Sequence, residues 1–311
     1  MKKIVFAIIL GLFLASSCEK VIEINVPDKD RKIVLNALIN PDSILTVHIT
    51  RSKTILESNN LVFIEDAEVK LFENEGLAGS LDYLGLGSYA LQGFKPVSGN
   101  TYRIEVNHPV LQSVNSQVFM PSPVKISQID TSRTIGEFGN DVYNLNVHID
   151  DPGQQKNFYS LSMVATLRYY DFENEVFLDS LRTEPVYFRP LDAGNTDFGE
   201  DLLEQQLSFF MDNKLFFSDA PFRTTGGELV MALEYYLYFF APDNIKIEIR
   251  LDHIDESYYL YSLSRRRYLQ TNENPFSEPV QVYNNVENGF GIFSSFARDT
   301  MRYNIFAGGR R

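Results

Sequence analysis

The chain has 311 residues, which is long enough for two ordinary domains. Its hydrophobic content of 44% and its charged content of 22% are those of a globular protein and exclude a disordered one. The formal net charge of −13 disfavours nucleic-acid binding, and it also disfavours attachment to an anionic membrane through charge, because like charges repel.

The first residues have the order of an export signal. Lys2 and Lys3 form a positive segment, Ile4–Leu14 is apolar, and the small residues Ala15–Ser17 follow. The apolar stretch is too short to span a membrane, which takes about 20 residues. We therefore predict that residues 1–17 are a signal peptide. Its removal changes the formal net charge from −13 to −15, because the segment carries only the two lysines.

The predicted signal ends at Cys18, the single cysteine of the chain. The run Leu14–Cys18 (LASSC) resembles a lipobox, whose cysteine receives diacylglycerol and becomes the first residue; Ala15 stands where leucine is usual. We predict that Cys18 carries lipid, including palmitate, and that residues 18–31 form a tether to the membrane. The alternative is an ordinary secretory signal with an incidental cysteine. One cysteine forms no intrachain disulfide.

Residues 32–121 are predicted to form a small β-sandwich. Several runs alternate apolar and polar residues at period two, which is the pattern of a half-buried strand. Turn residues separate these runs, and about seven short strands are expected in this region. The clearest runs are Lys32–Ile39, Leu45–Arg51, Asp66–Leu71 and Thr101–Val106.

Three short motifs in this region follow one another in a recognisable order. They are Ala67-x-Val69-x-Leu71, Gly87-Ser88-Tyr89 and Pro96-x-x-Gly99-x-x-Tyr102. Together they resemble the carboxypeptidase-regulatory-like β-sandwich. The resemblance implies tight turns at Gly87 and Gly99 and inward-facing rings at Tyr89 and Tyr102. It implies nothing about function.

Residues 124–311 are predicted to form a second β-rich domain, after Pro121 and Pro123 stop strand pairing. Leu229–Phe240 is apolar and aromatic and predicts a central strand buried on both faces. Asp255 predicts the N-cap of a helix over Glu256–Gln270. Other strands are predicted at Val124–Asp130, Val142–Ile149, Phe158–Tyr170, Lys214–Phe217, Ile245–Asp252 (with Asp252 on its polar face) and Gly289–Phe296, and residues 192–226 are the least regular. The expected fold class is mainly β, with two β-sandwich-like domains in tandem and one short helix near the C-terminus.

The sequence contains no motif for catalysis or metal binding. Four histidines lie on separate elements at spacings unlike those of metal ligands: His48, His108, His148 and His253. There is no G-x-S-x-G elbow and no phosphate-binding loop. The acids Asp171, Glu173 and Glu175 flank a turn, which is more typical of a solvated edge than of a carboxylate site. We therefore predict no enzyme activity, no cofactor and no metal.

Two features are candidates for a binding surface. Tyrosine pairs occur at Tyr169-Tyr170, Tyr235-Tyr236 and Tyr258-Tyr259. Since adjacent strand residues face opposite sides, one ring of each pair is a candidate to stack on a sugar or to anchor an interface; burial in the core is the alternative. Arg265–Arg267 is a basic patch that complements the end of the helix dipole, or else an acidic partner.

The last third of the chain carries a distinctive pattern. Asn274-Pro275-Phe276-Ser277-Glu278-Pro279-Val280 is followed by Asn285-Val286-x-Asn288-Gly289-x-Gly291-Ile292-Phe293. With the lipobox, the first strand KIVLN and the element Phe217-Ser218-Asp219, this pattern resembles family 4249 of the domains of unknown function, which are outer-membrane lipoproteins. The loop Arg223–Gly226 departs from the family, which often has a Gly-Lys pair there.

This resemblance implies a non-enzymatic outer-membrane lipoprotein, anchored through Cys18, that accompanies a TonB-dependent transporter in nutrient binding or uptake. The alternatives are a cell-surface adhesion or structural module and an extracytoplasmic hydrolase. Glu19, directly after the cysteine, gives no sign of retention at the inner membrane. The sequence leaves open the ligand and the face of the outer membrane.

Overall fold

The computed structural model describes most of the chain between residues 30 and 305. The described residues are 30–54, 57, 60–135, 141–153, 155–171, 173–174, 176–186, 188–190, 214–220, 228–236, 245–271 and 278–305. The predicted signal peptide, Cys18, most of the tether and the loop Arg223–Gly226 lie outside them. Within the described ranges, no helix is both long enough and apolar enough to cross a membrane.

The first part of the chain forms short strands joined by tight turns. Tyr89 and Tyr102 are buried, as predicted, and the Tyr102 hydroxyl donates to Glu73 Oε1 at 2.6 Å. Gly87 and Gly99 have φ angles of 73° and 88°, which glycine adopts without strain. The strands are β1 (Ile33–Ile39), β2 (Thr46–Arg51), β3 (Val62–Phe63), β4 (Glu68–Glu73), β5 (Gly76–Ser80), β6 (Asp82–Gly85), β7 (Ser88–Ala90), β8 (Thr101–Asn107) and β9 (Val114–Phe119).

The second part has longer strands and, within the described residues, the only helix. That helix is α1 (Glu256–Thr271). The final strand continues to Ile305, beyond its predicted end at Phe296. The strands are β10 (Ile126–Ile135), β11 (Asp141–Asp150), β12 (Phe158–Asp171), β13 (Val176–Pro185), β14 (Phe188–Pro190), β15 (Leu215–Ser218), β16 (Glu228–Tyr236), β17 (Ile245–Ile254) and β18 (Phe290–Ile305). The central position predicted for β16 is confirmed, because it pairs with β11 and β14.

These strands form three sheets. A ten-stranded sheet has the order β13-β12-β17-β18-β1-β2-β7-β6, with β15 beside β12 and β3 beside β2. Two four-stranded sheets have the orders β10-β11-β16-β14 and β5-β4-β8-β9. Each small sheet packs on one half of the large sheet, which gives two sandwiches. The fold class predicted from the sequence is confirmed.

Each sandwich has its own hydrophobic core. In the first sandwich, Leu35 and Ile49 of the large sheet pack with Ile104 of β8. In the second, Leu145 of β11 packs with Ile249 of β17. All of these side chains are fully buried, and burying an aliphatic side chain contributes about 1.5–3 kcal/mol. The apolar residues of the alternating runs therefore form the two cores, and their burial stabilises the strands.

One strand belongs to both sandwiches. The first six residues of β18 pair in parallel with β1, from Val34 opposite Phe290 to Ile39 opposite Ser295. The remaining residues pair antiparallel with β17, from Phe296 opposite Ile254 onward. The last long strand of the chain thus completes the first sandwich and then continues into the second.

The helix α1 begins as predicted at the cap residue Asp255. Its Oδ2 accepts the N–H of Ser257 at 2.9 Å, and its Oδ1 accepts the N–H of Ser295 in β18 at 2.8 Å. One carboxylate therefore caps the helix and also fixes it to the strand that both sandwiches share.

The helix covers a small apolar cluster of the second sandwich. The ring of Tyr258 lies 5.5 Å from that of Phe216, and the ring of Tyr259 lies 4.7 Å from that of Phe158. Both tyrosines are half-buried. The helix predicted over Glu256–Gln270 contains both residues, and both rings face the sheet, so burial, the alternative given for the tyrosine pairs, applies to this pair.

Candidate functional site

Five polar side chains meet beside the linker between the sandwiches, which is residues 120–125, and we call these side chains the polar cluster. Strands β12 and β17 supply Tyr159 and His253, and the other three follow β11, precede β12 and follow β15. Four of the five are buried, and Asp151 is half-buried. The cluster consists of Asp151, Asn157, Tyr159, Asp219 and His253.

The polar cluster is tied together by hydrogen bonds. The Tyr159 hydroxyl donates to Asp151 Oδ2 at 2.5 Å. Asn157 Nδ2 donates to the same oxygen at 3.3 Å and to Asp219 Oδ2 at 3.4 Å. The backbone N–H of Asp219 donates in return to the Asn157 carbonyl at 3.1 Å. These bonds join the ends of three strands into one network.

Burial sets the protonation states in this network. Burial first, and the bond to Asp151 second, raise the pKa of Tyr159, so its hydroxyl stays protonated and donates. Burial lowers the pKa of His253. The neutral ring of His253 donates from Nδ1 to the carbonyl of Ser122 at 2.7 Å, because a carbonyl can only accept. His253 thereby holds the linker against β17.

The polar cluster has the geometry of a structural network. The ring of His253 lies against that of Tyr159, with 5.2 Å between centres. The neighbouring hydroxyl of Ser160 donates to Asp252 at 3.2 Å. Among the described residues, no group of three or more His, Cys, Asp or Glu side chains is placed to hold a metal ion. Hydrogen-bonded polar networks of this kind rigidify the structure around them.

An ion pair joins β17 to β18. Asp252 is 1% exposed and accepts from the half-buried Arg298 at 2.5 Å (Nε to Oδ1) and 2.9 Å (Nη2 to Oδ2). The alternation of β17 predicted Asp252 on its polar face. The burial of this carboxylate was not predicted, and it arises because Arg298 lies directly opposite on β18 and covers it.

An open groove of about 490 Å³ lies between α1 and residues 280–284. Ser264 Oγ accepts the N–H of Tyr283 at 2.8 Å and holds the two walls together. Its volume is in the range of small-molecule sites. The lining combines apolar and polar side chains: Leu260, Leu263, Ser264, Arg267, Val280, Gln281, Val282, Tyr283 and Asn284.

The sequence model of the family described as "Domain of unknown function (DUF4249)" matches residues 19–302. The chain belongs to this family. The match confirms the family resemblance seen in the sequence. No curated protein matches the DUF4249 chain by sequence.

Solved structures resemble the DUF4249 chain only weakly. The major pilin subunit BcpA*(D312A) of Bacillus cereus is 10% identical, with 73% of this chain and 65% of the pilin covered and a TM-score of 0.20. This chain therefore spans just under two thirds of that pilin chain. The collagen adhesin (CNA) of S. aureus is 7% identical, with 89% and 94% covered and a TM-score of 0.19. Similarity at this level carries no inference about function.

The basic patch predicted in the DUF4249 chain is divided by the structure. Arg266 is buried, donates to the Lys214 carbonyl at 3.1 Å and lies 5.3 Å from the Phe216 ring. Arg267 is exposed and lines the groove. The helix runs on to Thr271, and its last turn contains no basic residue. Dipole complementation at the helix end is therefore wrong as an explanation of these arginines.

The histidines of the DUF4249 chain do not come together. His48 contacts Ser88 at 3.0 Å, and the other two outside the polar cluster each contact one aspartate. These pairs are His108 with Asp66 at 3.1 Å and His148 with Asp130 at 3.0 Å. Glu173 is exposed. The side chains of Asp171 and Glu175 and of the pairs Tyr169-Tyr170 and Tyr235-Tyr236 lie outside the described residues.

The polar cluster was not found from the DUF4249 sequence. Its members are spread from residue 151 to residue 253, and no local motif contains more than one of them. The signal that the sequence offered was two aspartates, Asp151 in a turn and Asp219 at the end of a strand. Each lies next to a strand that is rich in aromatic residues. Only the strand pairing of β12 with β15 and β17 brings them together.

Proposed function

We propose that this DUF4249 protein is a lipid-anchored outer-membrane lipoprotein without enzyme activity that partners a TonB-dependent transporter in nutrient binding or uptake. The observation that carries the proposal is the export signal ending at Cys18, the single cysteine of the chain. The family resemblance supplies the transporter partner. The acidic charge favours a lipid anchor over attachment through charge.

The described side chains support a role in binding. The histidines contact a serine, aspartates or a backbone carbonyl, and the carboxylates of the polar cluster accept from a tyrosine and an asparagine. A general base needs a substrate proton within hydrogen-bond reach, and these contacts leave the groups engaged within the fold. The groove beside α1 is a candidate place for a ligand.

Two experiments test the proposal. Metabolic labelling with a palmitate analogue is expected to label the wild-type protein and not the variant Cys18→Ser. Affinity purification of the tagged protein from native membranes is expected to recover a TonB-dependent transporter. An unlabelled wild-type protein refutes the anchor, and purification without a transporter refutes the partnership.

A cell-surface adhesion or structural module is the second candidate. It is favoured by the single strand β18 that joins both sandwiches into one body. Deleting the protein separates the two candidates. Loss of growth on a limiting nutrient supports uptake, whereas normal growth with reduced attachment of cells to surfaces supports adhesion.

A further inference from the structure

One end of the first sandwich receives the chain from the tether, and we call it the anchor pole. β1 begins there at Ile33, and Lys32 and Ser52 are joined by two hydrogen bonds, from Lys32 N to Ser52 Oγ at 2.9 Å and from Ser52 N to Lys32 O at 2.8 Å. β2 ends there at Arg51, opposite Val62 at the start of β3. The pole is thus the point of the body nearest to the predicted anchor in sequence.

Two further elements of the ten-stranded sheet reach the anchor pole. β18 starts there with Phe290 beside Val34, and Lys32 Nζ lies 5.4 Å from the centre of the Phe290 ring. The β6–β7 hairpin also turns there. Beyond the last pair between β2 and β7, the N–H of Ile49 donates to the Gly87 carbonyl at 2.7 Å. The pole therefore collects the ends of strands β18, β1, β2, β3, β6 and β7.

The opposite sheet contributes the connection between β8 and β9. Val106 pairs with Val114, so the residues between them project beyond these strand ends. Val114 lies at the anchor pole, because its Cγ1 would meet a Cβ added to Gly289, the residue before β18, at 2.8 Å. Val110 is at the outer part of this connection and is 85% exposed.

Large apolar side chains are exposed across the anchor pole. Their exposed fractions run from 48% to 85%. Each lies at a strand end or in a turn, where the sheet leaves it without a neighbour on the outer side. Apolar side chains such as Leu77, Val97 and Phe119 are exposed elsewhere on the first sandwich, but the pole has five of them at the end that the tether joins. The residues are Leu61, Leu84, Leu86, Val110 and Phe290.

The charges around the pole are of both signs. At the place where the tether joins, the basic residues are Arg31, Lys32, Arg51 and Lys53, and Glu57 pairs with Arg31 and Arg51. Acids lie on the neighbouring connections, where Asp66 pairs with His108 and Glu287 accepts from Asn115. The pole therefore carries a mixed charge, and its attraction to anionic headgroups is small.

The second sandwich attaches at the opposite end of the first. Ser295 Oγ, six residues along β18 from the pole, donates to the carbonyl of Phe119 at the end of β9 at 2.7 Å. Met120 and the linker follow at that end. The anchor pole therefore faces away from the second sandwich.

We propose that the anchor pole rests in the headgroup layer of the membrane that holds the lipid anchor, with its exposed apolar side chains reaching the boundary with the acyl chains. This inference rests on the proposed function, because the membrane is the one that Cys18 is predicted to enter. From Cys18 to Asp30 the extended tether spans at most about 40 Å, so the pole lies within reach of the surface.

Lipid fits this surface better than a protein partner does. The apolar side chains stand on separate turns and strand ends across the pole, so a fluid layer matches them without a complementary shape. A lysine over an aromatic ring, as in Lys32 and Phe290, suits the boundary between headgroups and hydrocarbon. Since charges of both signs lie at the pole, apolar insertion and not charge is expected to dominate.

The absence of tryptophan from the chain allows a direct test. Leu84→Trp places a single fluorophore at the anchor pole. Leu77→Trp is the matched control, because Leu77 is 61% exposed against 55% for Leu84 and lies at the opposite end, beside Phe72. Each full-length acylated variant is reconstituted into phosphatidylethanolamine–phosphatidylglycerol vesicles, with and without brominated acyl chains.

We expect the emission of Leu84→Trp to shift to shorter wavelength and to be quenched by the brominated lipid, with little change at high salt. The emission of Leu77→Trp is expected to stay unquenched and open to iodide. Equal emission from both variants, with neither quenched, overturns the inference. If the tryptophan of Leu84→Trp is protected from iodide in native membranes but not in lipid vesicles, the inference is also overturned. The pole would then contact a protein of the membrane and not the lipid.

The same vesicles separate this inference from the proposed function. Flotation of the acylated protein with vesicles reports on the anchor alone, and Cys18→Ser is its control. If the protein floats and Leu84→Trp stays unquenched, the anchor stands and the pole proposal fails. If the wild-type protein does not float, the anchor itself fails. Leu61→Trp is a second variant at the anchor pole. It tests the same inference if Leu84→Trp disturbs the folding of the β6–β7 hairpin.

Discussion

Gly291 is the residue on which the parallel pairing of β18 with β1 depends most sharply. Its φ is 112°, and a Cβ added there would lie 2.0 Å from the carbonyl oxygen of its partner Leu35 and 2.8 Å from the carbonyl carbon. Gly291→Ala must therefore push the two strands apart. The first sandwich would lose the strand that the end of the chain adds to it.

The expected cost has two parts. A residue with a Cβ at such a backbone angle costs about 1–3 kcal/mol. Separating the strands also weakens ladder hydrogen bonds, at about 1 kcal/mol each. The sum is at least about 3 kcal/mol, which lowers the melting temperature of a protein of this size by roughly 6–12 °C.

The matched control is Gly93→Ala. Gly93 also has a positive φ, 75°, but an added Cβ there meets nothing within 4 Å. Its backbone cost is about 1–2 kcal/mol. Both variants are compared with the wild type by calorimetry and by urea titration. If Gly291→Ala melts at or above Gly93→Ala, the close approach of β18 to β1 does not exist in solution.

Three further predictions concern buried polar groups. Ser295→Ala should cost about 1–2 kcal/mol in urea unfolding because it leaves a carbonyl unpaired, whereas Ser294→Ala should cost nothing, since within the described residues Ser294 Oγ has no partner. Burial raises the pKa of Asp255 to about 6 in the folded protein. The folded state therefore holds this proton more tightly than the unfolded state, and the free energy of unfolding should fall by about 3 kcal/mol as the pH rises from about 4 through 6. Asp255→Asn should remove this pH dependence from urea midpoints measured between pH 4 and 7. Arg298→Met should cost about 1.5–3 kcal/mol because Asp252 loses a charged hydrogen-bond partner and keeps Lys214 at 3.7 Å and the Ser160 hydroxyl, and adding Asp252→Asn should restore part of the loss, as measured by calorimetry.

Each of these predictions has an outcome that contradicts it. Equal effects of the two serine substitutions would mean that the Ser295 hydroxyl does not fix β18 to the end of β9. An unchanged pH slope in Asp255→Asn would mean that this carboxyl is solvated. A double variant no more stable than Arg298→Met would show that packing, and not charge, holds β17 to β18.

Local patterns predicted the elements well where one face of the element is buried. The alternation in Asp66–Leu71 and Thr101–Val106 corresponds to β4 and β8, and both strands bury every second side chain. Asp255 predicted the start of α1, because a cap needs only its own neighbours. These features depend on residues close together in the sequence.

Features that depend on distant residues were not predictable. Nothing in residues 290–295 indicates a parallel partner that begins at residue 33, and the strand was expected to end at Phe296. The polar stretch after that residue is strand because β17 pairs with it across its full length. The burial of Asp252 was not predictable for the same reason, since its cover, Arg298, comes from another strand.

The outcome of each predicted site depended on the element that carries its residues. The arginine patch was predicted as one surface, but the helix turns Arg266 inward and Arg267 outward. Tyr258 and Tyr259 lie on the predicted helix, and their rings cover the second sandwich. Cys18 stays a prediction, because it lies outside the described residues. Sequence spacing alone cannot tell on which side of a helix each neighbour will fall.

The shared strand also determines how the molecule would carry a mechanical load. The tether pulls on the start of β1, and any partner held by the second sandwich pulls on the far end of β18, about 50 Å away by strand length. Because β1 and β18 are parallel, these pulls act along the strands in opposite directions. The force then loads the six residue pairs between β1 and β18 in shear, so that all six resist it at the same time. Strands that are peeled apart from one end would instead lose one pair after another.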